Sequence, residues 1–305
     1  MNNLSTSIPV NLPLAGARRL LLIAWIAMLL MSRLPQIVLK ELLGQEINYA
    51  WWGLAVAILL VVFTFIWPLV RPLRGYFLVM AAVILFTGVL DAPLRASSVW
   101  QNWFAAEKGW VISFFGERLP LVIAALAIVL LLRLMGLKRA DYFLVKGDLA
   151  APVQGLRFFK RPLPWLPVGL LFTAFLGALF ALALSQLMPP VVGLRQLFPY
   201  LPAILLFALM NSFGEEMAYR AGPLSQLYPV IGREAANWLT AVWFGLGHFY
   251  GGIPSGPLGV VQAGLVGLLF GKAMLETRGM VMPVLMHLLV DVVIYAFLAL
   301  SLSGA

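Results

Sequence analysis

The chain has 305 residues with a mean hydropathy of +0.97, and only 11% of them are charged, against about 25% in soluble domains. This composition excludes an ordinary soluble protein and predicts a polytopic membrane protein. The absence of cysteine excludes disulfides, thiolate metal sites and cysteine nucleophiles. The net charge of +9 does not indicate nucleic-acid binding, because the basic residues stand singly or in pairs between apolar runs, as in loops that face membrane lipids.

Long apolar runs divide the chain into candidate membrane-spanning helices, each of which needs about 20 mostly apolar residues. We therefore predict an all-α protein, a polytopic transmembrane helical bundle of eight to nine spans. The lower number applies if the short first or seventh run is interfacial or re-entrant. No small-residue cleavage site follows the first run, so we expect it to be retained. The candidate spans lie near 18–34, 49–70, 75–91, 118–136, 165–187, 199–219, 235–250, 257–275 and 279–301.

The basic residues set the predicted orientation. With a cytoplasmic N-terminus, 15 Lys and Arg residues fall on the cytoplasmic side and 6 on the other, which accounts for all 21. We therefore predict a multi-pass protein of the plasma (inner) membrane, and expect a bacterial source for so compact a chain. The basic connection 137–163 is predicted to be a surface linker. It separates an N-terminal scaffold, residues 1–163, from a C-terminal core, residues 164–305.

Ionisable groups collect inside the C-terminal apolar runs, where a charged side chain costs about 2.5–3.5 kcal/mol on insertion scales. Such a cost makes a functional site the first hypothesis for these groups. Both histidines of the chain belong to the set. The candidate residues are Glu215, Glu216, Arg220, His248, His287 and Asp291.

The spacing within this set predicts which groups meet. Residues four apart lie on one helix face, so Glu216 can pair with Arg220, and His287 projects with Asp291. Glu215 is rotated by about 100° from Glu216 and can point elsewhere. We therefore predict that Glu216 is structural and that Glu215 is free for chemistry.

Each piece also has a purely structural explanation. A Glu–Arg pair at this spacing often only stabilises a helix, and an intramembrane histidine is usually a packing residue. Asp291 could be an interhelical polar contact, worth about 0.6 kcal/mol on average. Because all of these groups fall within about 80 residues on successive spans, we favour a functional site.

Three short motifs run through this region in order. The matching residues are Glu215, Glu216 and Arg220 for EExxxR, Phe244 and His248 for FxxxH, and His287 and Asp291 for HxxxN/D. In this order they resemble the CPBP intramembrane proteases, a family that includes CAAX prenyl endopeptidases, bacteriocin-processing and immunity proteins, and lysostaphin-resistance proteins. The resemblance covers about residues 199–295, and the stretch Glu276–Gly279 also looks like the family's approach to its third motif.

The resemblance implies an intramembrane endopeptidase with a catalytic water between its first two motifs. Glu215 would be the general base and His248 its partner on the water. Glu216 and Arg220 would form the pair that fixes the helix carrying Glu215.

The third motif would stabilise the oxyanion of the tetrahedral intermediate, or ligate a metal. Prenyl endopeptidases have asparagine where this chain has Asp291. Aspartate can donate a hydrogen bond to an oxyanion only if burial raises its pKa enough to keep it protonated. As a carboxylate it would instead orient or charge-stabilise His287, or bind a metal. No cofactor is required on this interpretation, but zinc remains open because Glu and His are competent ligands. The candidate ligands are Glu215, His248, His287 and Asp291.

We predict that the chain hydrolyses a peptide bond near the cytoplasmic membrane face, in a peptide or membrane-protein substrate, through a Glu/His-activated water. Two alternatives stay open: a proton-coupled transporter that uses the same groups as a relay, and a non-catalytic immunity or scaffold protein of the same fold. For Glu215 and His248 to meet, we expect the segment 221–240 to dip back into the membrane or the next helix to be kinked.

Overall fold

The computed structural model describes residues 14–155, 163–187 and 194–303, and the described residues form helices without a β-strand. Two π-helical segments, Leu85–Val89 and Glu216–Ala221, interrupt the α-helical geometry. The α-helices are α1 (Leu14–Met31), α2 (Leu34–Leu43), α3 (Tyr49–Ile66), α4 (Arg74–Ile84), α5 (Asp91–Ala96), α6 (Ser98–Phe104), α7 (Trp110–Leu134), α8 (Trp165–Leu187), α9 (Leu201–Glu215), α10 (Gly222–Ile231), α11 (Arg233–Gly247), α12 (Gly256–Thr277) and α13 (Val281–Ser303).

Seven helices in the described part of the chain are long and apolar enough to cross a membrane. The number rises to eight if Gly16–Met31 and Leu34–Leu43, which are bent by 55°, form one broken span. This confirms the prediction of an all-α polytopic bundle. The predicted number of eight to nine spans is reached, at its lower end, only if the bent pair counts as one span. The seven helices are Tyr49–Ile66, Pro68–Ala96, Trp110–Leu134, Trp165–Gln186, Leu197–Ile231, Gly256–Thr277 and Val281–Ser301.

Several predicted spans have different bounds in the structure, and two of the differences bear on the candidate site. The span placed at 199–219 continues to Ile231 and forms a helical stretch of 35 residues. The wider π-helical turn ahead of Pro223 accommodates a residue that has no N–H to donate. The helix ends instead before Gly232, whose φ of 88° breaks the helical path. The next predicted span, 235–250, is the 15-residue helix α11, which at 1.5 Å per residue is too short to cross.

The chain forms two compact units that interleave in sequence. The first comprises residues up to Gly88 with Gly222–Gly271, and the second comprises Val89–Ala221 with Lys272 onward. In the first unit α3 packs against α1 and α4, and α10 packs against α11 and α4. In the second unit α13 packs against α8 and α9, and α9 also packs against α7. The predicted division into a scaffold and a core at residue 163 stays a prediction.

An aromatic cluster joins the three helices α7, α9 and α13 of the second unit. The ring of Phe114 lies edge-on to Phe207 and to Tyr295, with centroids 5.1 Å apart in both pairs. Edge-to-face pairs of this kind contribute about 0.5–1.5 kcal/mol beyond the burial of their area. Farther along, a Cβ on Gly214 would lie 2.5 Å from Cγ of Leu121, so only glycine lets α9 approach α7 this closely. The cluster and this contact fix the spacing of the helices.

The connection after α7 is hydrogen-bonded to the turn that precedes α13. Asp148 N–H donates to the carbonyl of Thr277 at 2.8 Å, and Met280 N–H donates to the carbonyl of Val145 at 3.0 Å. Between these bonds the backbones of Gly147 and Gly279 touch, and a Cβ on either glycine would overlap the other's backbone. The predicted surface linker 137–163 therefore holds the start of α13, although its residues 156–162 lie outside the described part.

Glu276 adds hydrogen bonds and an ion pair next to this turn. Its Oε2 accepts from the indole N–H of Trp165 at 2.8 Å and from the backbone N–H of Gln154 at 3.1 Å, while Oε1 pairs with Lys272. A carboxylate that accepts several hydrogen bonds ties together segments that are far apart in sequence. The Glu276–Gly279 stretch thus has a structural explanation of its own.

Gly147→Ala should lower the stability of the protein more than Gly136→Ala. Both glycines have positive φ, 73° and 85°, so both variants bear a backbone cost of about 1–2 kcal/mol. Only the Cβ at position 147 also meets backbone atoms, at 2.7 Å from Thr277 O and 2.8 Å from Gly279 Cα. That overlap should add roughly 1–3 kcal/mol. Thermal unfolding in detergent compares the two variants, and equal midpoints would contradict the close approach.

Candidate active site

Helix α9 changes its geometry at the paired carboxylates. Glu215 is its last α-helical residue, and Glu216 begins the π-helical segment that ends at Ala221. A π-helical turn is wider than an α-helical one, and such turns occur frequently at functional sites. The two neighbouring carboxylates are thus carried by different kinds of turn.

Glu216 and Arg220 form a completely buried ion pair. Nη1 of Arg220 donates to Oε1 of Glu216, and both side chains are inaccessible to solvent. The predicted contact is therefore present, and the π-helical turn brings the two groups together as an α-helical one would. Removing one member of a buried pair costs about 3–5 kcal/mol, because the other is left as an uncompensated charge. Each member of the pair therefore depends on the other.

The same carboxylate oxygen orients the ring of His287. Nδ1 of His287 donates to Oε1 of Glu216 at 2.8 Å. Because this bond occupies Nδ1, Nε2 is the nitrogen that faces the remaining groups. Nε2 lies 3.6 Å from Oε2 of Glu215 and 3.7 Å from Oδ2 of Asp291. These are ion-pair distances that are too long for direct hydrogen bonds.

Glu215 is the most accessible carboxylate of this group. Its side chain is 17% exposed, against 7% for Asp291 and 0% for Glu216. A group that activates a water molecule has to be reached by water, and Glu215 meets this condition best. The assignment of Glu216 to structure and of Glu215 to chemistry stays a prediction.

Asp291 is connected to two residues that the sequence reasoning missed. Nδ2 of Asn211 donates to Oδ2 of Asp291 at 3.1 Å, and Oδ1 of Asn211 accepts from Nη1 of Arg118 at 2.9 Å. The guanidinium of Arg118 lies over the rings of Phe114 and Tyr295, 4.6 and 5.5 Å from their centroids, where cations are attracted to the aromatic faces. The site thus extends across α7, α9 and α13.

A weak signal for Asn211 and Arg118 was present in the sequence. Asn211 precedes Glu215 by four residues and so shares its helix face, in a run that is otherwise apolar up to that point. The predicted span 118–136 puts Arg118 at the edge of the membrane. Helix α7 begins at Trp110, which puts Arg118 two turns inside it. The mostly apolar run 110–115, interrupted only by Ser113, indicates this earlier start.

His248 belongs to the first compact unit and caps the C-terminus of α11 there. Its Nδ1 lies 2.9 Å from the carbonyl oxygen of Phe244, and the two rings are 4.4 Å apart. A carbonyl oxygen can only accept, so Nδ1 carries the proton and Nε2 of the neutral ring offers its lone pair. The ring is therefore in the tautomer that a base or a ligand needs, while its meeting with Glu215 stays a prediction.

The predicted metal ligands are chemically suitable but are not arranged as a metal site. Carboxylate oxygens and a histidine nitrogen are the donors that zinc prefers. In the described part of the chain, however, no group of three or more His, Cys, Asp and Glu residues is placed to hold a metal ion.

Asn211→Ala should destabilise the protein far more than Ser212→Ala. Both side chains are buried neighbours on α9, but Asn211 joins Asp291 to Arg118, whereas the hydroxyl of Ser212 bonds only to Leu209 of its own helix. Leaving a buried polar group without its partner costs about 1–3 kcal/mol, and more for charged groups. Thermal unfolding in detergent should show this difference, and similar midpoints would mean that Asn211 is not a bridge.

Comparison with known proteins identifies the segment that carries the site. A profile of the family described as Type II CAAX prenyl endopeptidase Rce1-like matches residues 196–293, a range that contains all three motifs. No curated protein and no solved structure matches the chain at a significant level. The profile confirms the resemblance to the CPBP and CAAX proteases over about a third of the chain. The segment 196–293 is therefore similar to the Rce1-like family of CAAX-type intramembrane proteases.

Proposed function

We propose that this protein is a membrane-embedded endopeptidase in which Glu215 activates water to cleave a peptide bond. One observation carries the proposal. Glu215, a partly exposed carboxylate, lies beside a histidine whose other nitrogen is fixed by a buried ion pair. A positioned base next to a positioned proton donor is the arrangement that amide hydrolysis needs. The family match supports a protease, and the geometry supports this division of roles.

In the proposed first step, Glu215 accepts a proton from a water molecule as the water oxygen attacks the carbonyl carbon of the substrate. This general-base step typically contributes 10²–10⁴-fold. The carbonyl π bond opens and leaves a negative charge on its oxygen. The proton held by Glu215 then passes to the leaving nitrogen, the C–N bond breaks, and a carboxylic acid and an amine are released.

His287 is the proposed donor to the oxyanion. When its ring is protonated, Nε2 can donate to the developing negative charge while Nδ1 stays bonded to Glu216. The bond to Glu216 holds the ring before the reaction begins, so no reorganisation is needed as the charge forms. In this proposal Asp291 orients His287 and balances its charge and does not donate to the oxyanion itself.

His248 is the proposed partner of Glu215 on the catalytic water. The motif match supports this assignment, and so does the tautomer that the Phe244 carbonyl imposes, since Nε2 can accept a hydrogen bond from water. The substrate class remains a peptide or a membrane protein, cleaved near the cytoplasmic face of the plasma (inner) membrane. The excess of basic residues in the loops assigned to that side supports this location and a cytoplasmic N-terminus.

Glu215→Gln and His248→Ala should each abolish proteolysis while leaving insertion and folding intact, because each removes a group that handles the catalytic water. Membranes from cells that produce each variant are compared with membranes that contain the unaltered chain, and new peptide termini are mapped by mass spectrometry. Termini found only with the unaltered chain support the proposal.

Glu234→Gln provides the matched control for this experiment. It makes the same chemical change at an exposed glutamate in the first turn of α11, and it should keep all of the termini. Retained proteolysis in Glu215→Gln would contradict the proposed mechanism. Proton flux in proteoliposomes without any cleavage would favour the proton-coupled transporter.

Glu216→Gln should reduce stability and proteolysis together, whereas Glu215→Gln should reduce proteolysis alone. The buried Arg220 loses the charge of Glu216, which should cost about 3–5 kcal/mol, and His287 loses the anion that orients it. Thermal unfolding and the terminus assay, carried out on the same preparations, separate the two carboxylates. A Glu216→Gln variant of unchanged stability would contradict the structural role of the pair.

A further inference from the structure

Arg118 has an unusual place for a charged side chain in an apolar helix. Its side chain is 26% exposed, and among the described residues no carboxylate lies at hydrogen-bond distance from it. The nearest one, Glu117, is 3.6 Å away and 53% exposed. An exposed contact of this length contributes little, because water screens it. The sequence neighbour of Arg118 therefore does not explain its position.

The hydrogen bonds of Arg118 instead connect it to Asp291 through Asn211. Nη1 donates to Oδ1 of Asn211, and Nδ2 of the same amide donates to Asp291. An amide that accepts on one side and donates on the other is polarised in one direction by the cation and the anion at its ends. This fixes which way the Asn211 amide points, and it transmits the positive charge toward Asp291.

The carboxylates around the ring of His287 are a second reason to assign Arg118 to the site. Three carboxylates surround the ring, and Arg220 pairs with one of them, Glu216. With Arg118 included, three carboxylates face two arginines and one histidine, so the group is neutral when His287 is protonated. Buried charges are stable only when they are paired and hydrogen-bonded. The members are Glu215, Glu216, Asp291, Arg118, Arg220 and His287.

We propose that Arg118 is a positioning residue of the active site, which acts through Asn211 to orient Asp291 toward His287 and to balance its charge. This inference rests on the proposed function for its catalytic consequence, but the pairing of Arg118 with Asp291 does not depend on it. Arg118 does not touch the reacting atoms in this arrangement. Its effect reaches them through two side chains.

The test is whether neutralising Asp291 removes the need for Arg118. Arg118→Met removes the cation and should leave Asp291 as an uncompensated buried charge. Asp291→Asn is isosteric and keeps an oxygen that can accept from Asn211, but it needs no cation. Asp291→Asn in the Arg118→Met background should therefore raise the unfolding midpoint, whereas in the unaltered chain it should lower it or leave it unchanged.

Cleavage provides the second readout. Arg118→Met should slow the Glu215-dependent appearance of new termini by about tenfold or more, and adding Asp291→Asn should recover the rate to within about threefold of Asp291→Asn alone. A residue that only filled space in α7 would show no such rescue. Arg133→Met, near the other end of the same helix and exposed, is the matched control. Its effect should add to that of Asp291→Asn without coupling.

The outcomes separate the two proposals. If Asp291→Asn rescues neither the midpoint nor the rate of Arg118→Met, the pairing is overturned. If the unaltered chain and Glu215→Gln give the same termini, the proposed function fails, and the unfolding experiment alone then decides whether Arg118 and Asp291 are paired. Coupling in both readouts supports the positioning role.

Discussion

The complete burial of the Glu216–Arg220 pair is the constraint on which the rest of the site depends. In a low-dielectric surrounding neither charge can be left without the other, so both side chains hold fixed positions. Because Oε1 of Glu216 also accepts from His287, the pair fixes the position of a residue on a different helix as well. One ion pair within six residues thereby sets the orientation of a ring that is 71 residues away in sequence.

A second set of contacts keeps α7, α9 and α13 at the distance that this arrangement needs. The rings of Phe114, Phe207 and Tyr295 set the spacing at one level, and the absence of a side chain at Gly214 permits close contact at another. The polar groups lie along these same faces, at intervals of four residues from the aromatic ones on α7 and α13. Apolar contacts hold the three helices together, and the charged groups lie between these contacts along the helices.

Contacts within one helix could be predicted from the sequence, whereas contacts between helices could not. The four-residue interval predicted that Glu216 meets Arg220, because this contact depends only on helical geometry. The roles of Asn211 and Arg118 depend on which helices pack together, and hydropathy does not specify this. The continuation of the helix to Ile231 was missed because Gly222-Pro223 ordinarily marks a break, and nothing in the composition signals the π-helical turn that tolerates it.

The π-helical turn at Glu216–Ala221 also changes the phase of everything that follows it in the same helix. Since a π-helical turn takes in more residues than an α-helical one, the side chains beyond Ala221 are rotated relative to the pattern set by α9, by about 100° for each extra residue. A helical wheel drawn through 201–231 would therefore assign the downstream residues to the wrong faces.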